Sequence, residues 1–405
     1  MVSPLSVSLV AGLPGTGVST LLAQWNAQLP VCVLDAAQLM AGAAESAMGA
    51  LRAAEMDADA AALAALRVAA AQAQARGQHL VVRARTEHLA GLIDLLVDAG
   101  HTAAEATSLQ LGAVVGVLDA ATVLAEFHAA DFLAERDPET SADDDRTVAD
   151  VLIEQIEAAT MLVLTHLDRV DRATHQTLAA LLRALNPAAA VVASSAPLDG
   201  DLLRRAAPYD RDAAEAGAGW ATLLRGGALP LEAGVSGFTY CRRRPFHPQR
   251  FFALMHTDWL RQHGTVFRSR GYFWLASRMA LSGSWEQAGG ACRHGAAGVW
   301  WSATETADWP EDPGLRAEIA LRLQDGDAPA PYGDRMQELA LIGLQLDQTA
   351  LVAQLDACLL TDAEMAGGPA AWAAFEDPFP EWEADDHEHE HEHGHVCDDA
   401  CDHGH

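Results

Sequence analysis

A glycine-rich turn between a strand-like run and a helix-like run constrains this chain more than any other feature. Gly12-Leu13-Pro14-Gly15-Thr16-Gly17-Val18-Ser19-Thr20 follows the apolar run 5–11 and leads into the helical run 21–28, the setting of a phosphate-binding loop. In such a loop the glycines let backbone N–H groups close around an anion, a lysine neutralises the outer phosphates, and the next hydroxyl reaches Mg²⁺. The glycines and Ser19 are present, but Val18 stands in the place of the lysine. All 26 basic residues are arginine, so no lysine elsewhere can reach in to replace it. The pattern predicts residual nucleotide binding by Gly12, Gly15, Thr16, Gly17, Val18, Ser19 and Thr20. A tight turn kept only for packing is the alternative.

Alternating strand-like and helical runs continue from this loop. Apolar segments at 31–34, 79–82, 113–118, 161–165 and 190–193 are separated by helical patterns at 41–76, 147–158 and 172–185. Such alternation predicts an α/β fold, a P-loop NTPase-like, mostly parallel sheet with helices on both faces. Residues 1–208 form that expected domain, and 209–233, rich in Ala, Gly, Asp and Pro, read as a linker. From 234 to 382 aromatics and arginines concentrate, predicting a smaller α+β domain with a helix opening at Pro248 and a strand over 266–275. Trp274, Trp285, Trp300 and Trp301 read as core and turn residues. Arg242, Arg243 and Arg244 read as a strand end paired with acids, with anion binding as the other possibility. Residues 383–405 read as a disordered His-rich tail.

The formal net charge is −30. That balance disfavours nucleic acid and anionic membranes as partners and favours attraction of cations. No apolar run reaches the roughly 20 residues of a membrane span, and the start lacks a charged signal-peptide region. The expected location is the cytoplasm. Six cysteines, scattered except for Cys397 and Cys401, fit reduced thiols better than a disulfide framework.

Several motifs together resemble the CobW-type GTPases and metallochaperones, a P-loop family. They are Gly112–Ala120 with its Val117-Leu118-Asp119-Ala120 end, Glu154-Gln155-Ile156, Leu185-Asn186-Pro187, Arg244-Pro245-Phe246-His247-Pro248, Arg270-Gly271-Tyr272-Phe273-Trp274, and Gly333-Asp334-Arg335-Met336-Gln337-Glu338. The similarity covers nearly the whole chain, and it implies GTP with Mg²⁺ as the family's nucleotide and zinc as the metal. The chain departs from the family at four places. The family's Cys-x-Cys-Cys metal motif has no counterpart, since residues 35–78 contain no cysteine. Arg83 stands where the third strand should end in an acid. The guanine motif Asn-Lys-x-Asp is Thr165-His166-Leu167-Asp168, leaving Asp168 as its one remaining group and removing the asparagine that braces the loop. With the lysine gone as well, GTP hydrolysis is expected to be weakened or lost, because charge stabilisation and metal positioning supply most of phosphoryl-transfer catalysis. Arg83 and Arg85 could instead form an anion site, or make ordinary salt bridges to Glu87 or Asp94.

The C-terminal 23 residues carry a different chemistry. His387, His389, His391, His393 and His395 alternate with Glu and Gly, followed by Cys397, Cys401, His403 and His405. Imidazole and thiolate are the preferred ligands of zinc, and period-two histidines chelate in many registers. Surrounding carboxylates concentrate cations. These nine residues are the expected metal site. The sequence thus predicts a zinc homeostasis protein or metallochaperone with metal ions and a client metalloprotein as partners. An active GTPase delivering zinc and a metal buffer without a client are the alternatives.

Overall fold

The computed structural model describes residues 5–38, 58–101, 109–129, 131–136, 140–141, 144–195, 203, 206–326 and 328–382. The chain divides into two compact units, Met1–Ala218 and Gly219–His405. The division falls inside the stretch read as a linker. That stretch carries two short helices, Arg211–Gly217 and Gly219–Leu224, one in each unit.

The first unit holds six parallel strands, β1 Leu5–Ala11, β2 Val31–Asp35, β3 His79–Ala84, β4 Leu109–Asp119, β5 Met161–Thr165 and β6 Ala190–Ala193, in the order β2-β3-β1-β4-β5-β6. Both faces are covered, as a parallel sheet requires. Side chains alternate across β1, so Leu5, Val7, Leu9 and Ala11 pack with the helices α2 Ala58–Ala75 and α3 Leu89–His101, whereas Val10 joins Leu21, Leu22 and Trp25 of α1 Val18–Gln28. The helix α4 Val148–Ala158 begins with a reciprocal capping box between Thr147 and Asp150.

Asn186 ends α5, Arg172–Leu185, and ties it to the end of α4. Its amide Nδ2 donates to the carbonyls of Ile156 and Ala159, both at 2.8 Å, and its Oδ1 accepts from the N–H groups of Ala188 and Ala189. The Leu-Asn-Pro turn is therefore a buried clamp on carbonyls at a helix end, where intrahelical partners run out.

The second unit is an antiparallel sheet of β7 Val235–Arg242, β8 Thr265–Phe273, β9 Leu281–Ala288, β10 Ala291–Val299 and β11 Gln337–Leu344, ordered β10-β9-β8-β11-β7. Phe246, Phe251, Phe273 and Trp285 fill its core together with Phe379. A helix opens at Pro248 and runs to Met255. Trp274, Trp285 and Trp300 are buried, and Trp301 is half-buried. Each of the three clustered arginines is engaged. Arg242 pairs with Asp356, Arg243 donates to the carbonyls of Gly333, Arg322 and Gln324, and Arg244 pairs with Asp362. Among the described residues no helix is long and apolar enough to cross a membrane.

Candidate functional site

The glycine loop leaves the carboxyl end of β1, where ligands bind in sheets of this type. Two of its glycines are dictated by geometry. A Cβ on Gly12 would lie 2.5 Å from Thr16 Oγ1 and 2.8 Å from the carbonyl of Val117. Gly17 has φ 86°, in the left-handed region, and is the N-cap of α1 without a side-chain cap. Thr16 closes the turn, its N–H and Oγ1 both directed to the carbonyl of Leu13, at 3.2 and 2.8 Å. Ser19 and Thr20 are exposed. Val18 is 7% exposed and packs with Leu21, Leu22, Trp25 and Val117, so its side chain belongs to the core.

The end of β5 supplies what the motif comparison missed. Thr165 stands where the bracing asparagine was expected, and its Oγ1 donates to the carbonyl of Thr16 at 2.8 Å, with that of Leu118 at 3.1 Å. The expectation of a lost brace is corrected by this contact. A hydroxyl on a short stem does what a longer amide would, because β5 runs close to the loop. His166, with φ 50°, lies against Gly17, and its Nδ1 is 2.8 Å from Asp119 Oδ2. Asp168 is exposed in the following turn.

A second buried polar link runs beneath the loop. Gln155 of α4, fully buried, donates to the carbonyl of Val117 at 3.3 Å and accepts from Thr86 Oγ1 at 3.2 Å. The segment after β3 is thereby tied to the strand under Gly12. A glutamine among the otherwise apolar buried positions of this helix was the sequence signal of that link.

Arg83 is exposed, flanked in register by Val10 of β1 and Asp35 of β2. Arg85 follows the strand and is half-buried. Asp94, one of the acids considered as a partner for them, pairs with Arg211. His387, His389, His391, His393, His395, Cys397, Cys401, His403 and His405 lie outside the described residues. Among the described residues no group of three or more His, Cys, Asp or Glu side chains is placed to hold a metal. Burial pushes the Cys358 thiol up to about 11, which keeps it protonated and unsuited to ligation.

Two family models match the chain. The nucleotide-binding domain of the CobW/HypB/UreG type matches residues 90–193, on the C-terminal side of the glycine loop, and the cobalamin synthesis protein CobW C-terminal domain matches 235–359. A zinc-regulated GTPase metalloprotein activator of Dictyostelium discoideum is 30% identical over 275 residues, 66% of this chain and 56% of that protein. A zinc chaperone of Mycobacterium tuberculosis is 34% identical over 247 residues, 60% of this chain and 56% of that protein. The chain thus spans little more than half the length of these curated relatives. A Zn(II)-bound YjiA GTPase from E. coli aligns over 88% of this chain and all of its own with a TM-score of 0.31 and 12% identity, too low to carry weight. The two family models together cover more than half of the sequence, in the order and in the two units that the fold displays, and the chain belongs to the CobW family.

Proposed function

We propose that this chain is a zinc-handling protein of CobW type in which nucleotide control is weakened or lost. Residues 387–405 gather the metal, and the two-unit body docks a client metalloprotein to which the ion passes. One observation carries the weakened control: Val18, in a chain without lysine, is 7% exposed and packs into the core where a P-loop would present a cation. One charge-assisted contact of that kind is worth roughly 1.5–3 kcal/mol, one to two decades of affinity at about 1.4 kcal/mol each. The names of the two curated relatives support zinc as the cargo, and the His and Cys ligands of the tail suit it. The test is zinc titration by calorimetry of the full chain and of a chain ending at Trp382, with GTP turnover measured beside it. Equal zinc stoichiometry in both, or turnover with Mg²⁺ that depends on zinc, would overturn the reading.

The retained loop geometry favours a second reading, an active GTPase that delivers zinc. Gly12, Gly17 and the Thr165 brace keep a turn able to receive an anion. Sustained GTP hydrolysis that requires Ser19 would favour this alternative.

A further inference from the structure

His294 carries a chemistry that the fold of the second unit does not use. On β10 it pairs in register with Trp285, so it lies on the face of the sheet that bears the aromatic core, and its ring meets Phe379 edge to face at 5.1 Å. Its Nδ1 is buried and has no hydrogen-bond partner among the described residues, although buried polar atoms are nearly always paired. The residue as a whole is half-buried, which leaves Nε2 as the nitrogen that a ligand can reach. Burial, Arg278 and His256 oppose its charged form and hold its pKa below the ordinary value, and neutral imidazole is the form that binds metal.

His256, at the end of the helix Pro248–Met255, is near enough for its charge to act on His294. Its Nδ1 lies 2.8 Å from the carbonyl of Phe252, a contact that requires the proton on Nδ1 and leaves the lone pair on Nε2. One nitrogen tied to a carbonyl and the other left for a metal is the arrangement of a ligating histidine. The segment that leads into the tail is pinned at the same place. Phe252, 4.3 Å from His256, meets Phe379 edge-on at 5.3 Å, and Trp382 lies 6.1 Å from Phe379 and 4.0 Å from the Arg278 guanidinium. Asp377 takes Arg278 with both oxygens, at 2.8 and 3.1 Å, so the arginine's charge is met there and does not stand against a cation. His387 comes five residues after Trp382, and five extended residues reach about 17 Å. The first tail histidines are therefore within reach of both imidazoles.

We propose that His256 and His294 are the body half of a zinc site that the tail completes, two tail histidines supplying the rest of a tetrahedral set, with His387 and His389 the nearest in sequence. The inference rests on the reading that residues 387–405 gather zinc, and it adds where one of those ions is held. Among the described residues no third His, Cys, Asp or Glu joins this pair as a ligand group, so the two imidazoles hold zinc firmly only when the tail closes over it. Zinc binding thereby draws the tail onto the second unit and fixes one ion at a defined place on the body.

The experiment is zinc titration by calorimetry of the full chain, first stripped of metal, with amide hydrogen exchange over residues 252–257 and 291–299 measured with and without one equivalent of zinc. Zinc should slow exchange in both segments of the wild type. His256→Gln and His294→Phe, the second keeping a ring against Phe379, should each weaken the tightest ion by about tenfold or more, abolish that protection and leave the weaker tail-bound ions unchanged. Metal-free melting of each variant checks that the second unit is intact. Zinc bound by the wild type without protection of either segment, and with the same affinity in both variants, would overturn this inference and leave the tail standing as the metal site. A full chain that binds no zinc would overturn the inference and the tail reading together.

Discussion

Replacing Thr165 with valine removes one hydroxyl and asks whether β5 holds the glycine loop in place. Thr165 is 5% exposed, and its Oγ1 proton is shared between the carbonyls of Thr16 at 2.8 Å and Leu118 at 3.1 Å. Valine has nearly the same shape, so most packing contacts survive the exchange. Leaving a buried acceptor without its donor costs about 1–3 kcal/mol, and the buried methyl that replaces the hydroxyl returns about 0.8 kcal/mol. The expected net loss is about 1 kcal/mol, which for a unit of this size lowers Tm by roughly 2–4 °C. Because the lost bond ends on Thr16, the effect should concentrate in the loop. Amide hydrogen exchange over residues 12–20 should quicken about fivefold if opening there becomes easier by about 1 kcal/mol. Thr165→Ser keeps the hydroxyl and should leave loop exchange near the wild-type rate, even though the lost methyl lowers Tm. Loop exchange that is the same in the valine and wild-type proteins would refute the brace.

Val18→Lys should raise GTP affinity about tenfold, seen by calorimetry, without restoring family-level turnover, because Arg83 still replaces the strand-end acid; it should also destabilise the first unit by roughly 1.5–3 kcal/mol as buried valine is lost. Asn186→Ala should cost about 2–3 kcal/mol in thermal or denaturant unfolding, since the carbonyl of Ala159 and the N–H of Ala188 lose the amide together, while the carbonyl of Ile156 and the N–H of Ala189 each keep a backbone partner. Ending the chain after Trp382 should remove nearly all zinc capacity while both units stay folded, and zinc affinity of the full chain should fall on acidification through about pH 6.5, where imidazoles protonate. Glu364 is held at about 2, chiefly by its hydrogen bond with Arg250, below the usual 4.5. Its folded-state value is depressed, so its contribution is complete above about 4.5 and disappears as pH falls towards about 2. Glu364→Gln should therefore destabilise the second unit by about 1 kcal/mol at neutral pH, and the gap to wild type should close over that acidic window.

Much of the scaffold was legible because hydrophobic period and punctuation agree with it. The runs 5–11, 161–165 and 190–193 are β1, β5 and β6, and the helix read over 172–185 has those same ends. The reading of 113–118 was too short, since β4 begins at Leu109, where an interrupted apolar pattern hides the first turns of pairing with β1. The helix read from 41 is described from Ala58 onward. In the second unit the strand read to 275 ends at Phe273, and the chain leaves the sheet as Phe246 exchanges hydrogen bonds with Trp274 and Ala276. The acidic partners assigned to Arg242 and Arg244 were correct in kind, although their identities, Asp356 and Asp362, lie more than a hundred residues away and no local pattern names them.

The sequence alone determined the parallel order of chemistry along the chain: a glycine loop without lysine, a CobW-like succession of motifs, and a His and Cys tail whose ligand types and spacing are independent of folding. It could do so because turn geometry, hydrophobic period and ligand chemistry are local properties. Tertiary structure decided what became of the altered positions. Whether Val18 leaves a vacancy or joins the core depends on Trp25 and Val117, and whether Thr165 can brace Thr16 depends on how near β5 passes to a loop 149 residues earlier. The pairing of His166 with Asp119 likewise exists only because β4 and β5 are neighbours in the sheet. Such contacts are set by the packing of whole strands, and a separation of about 3.6 Å is already too long for a hydrogen bond, so a spacing read along the chain cannot supply them.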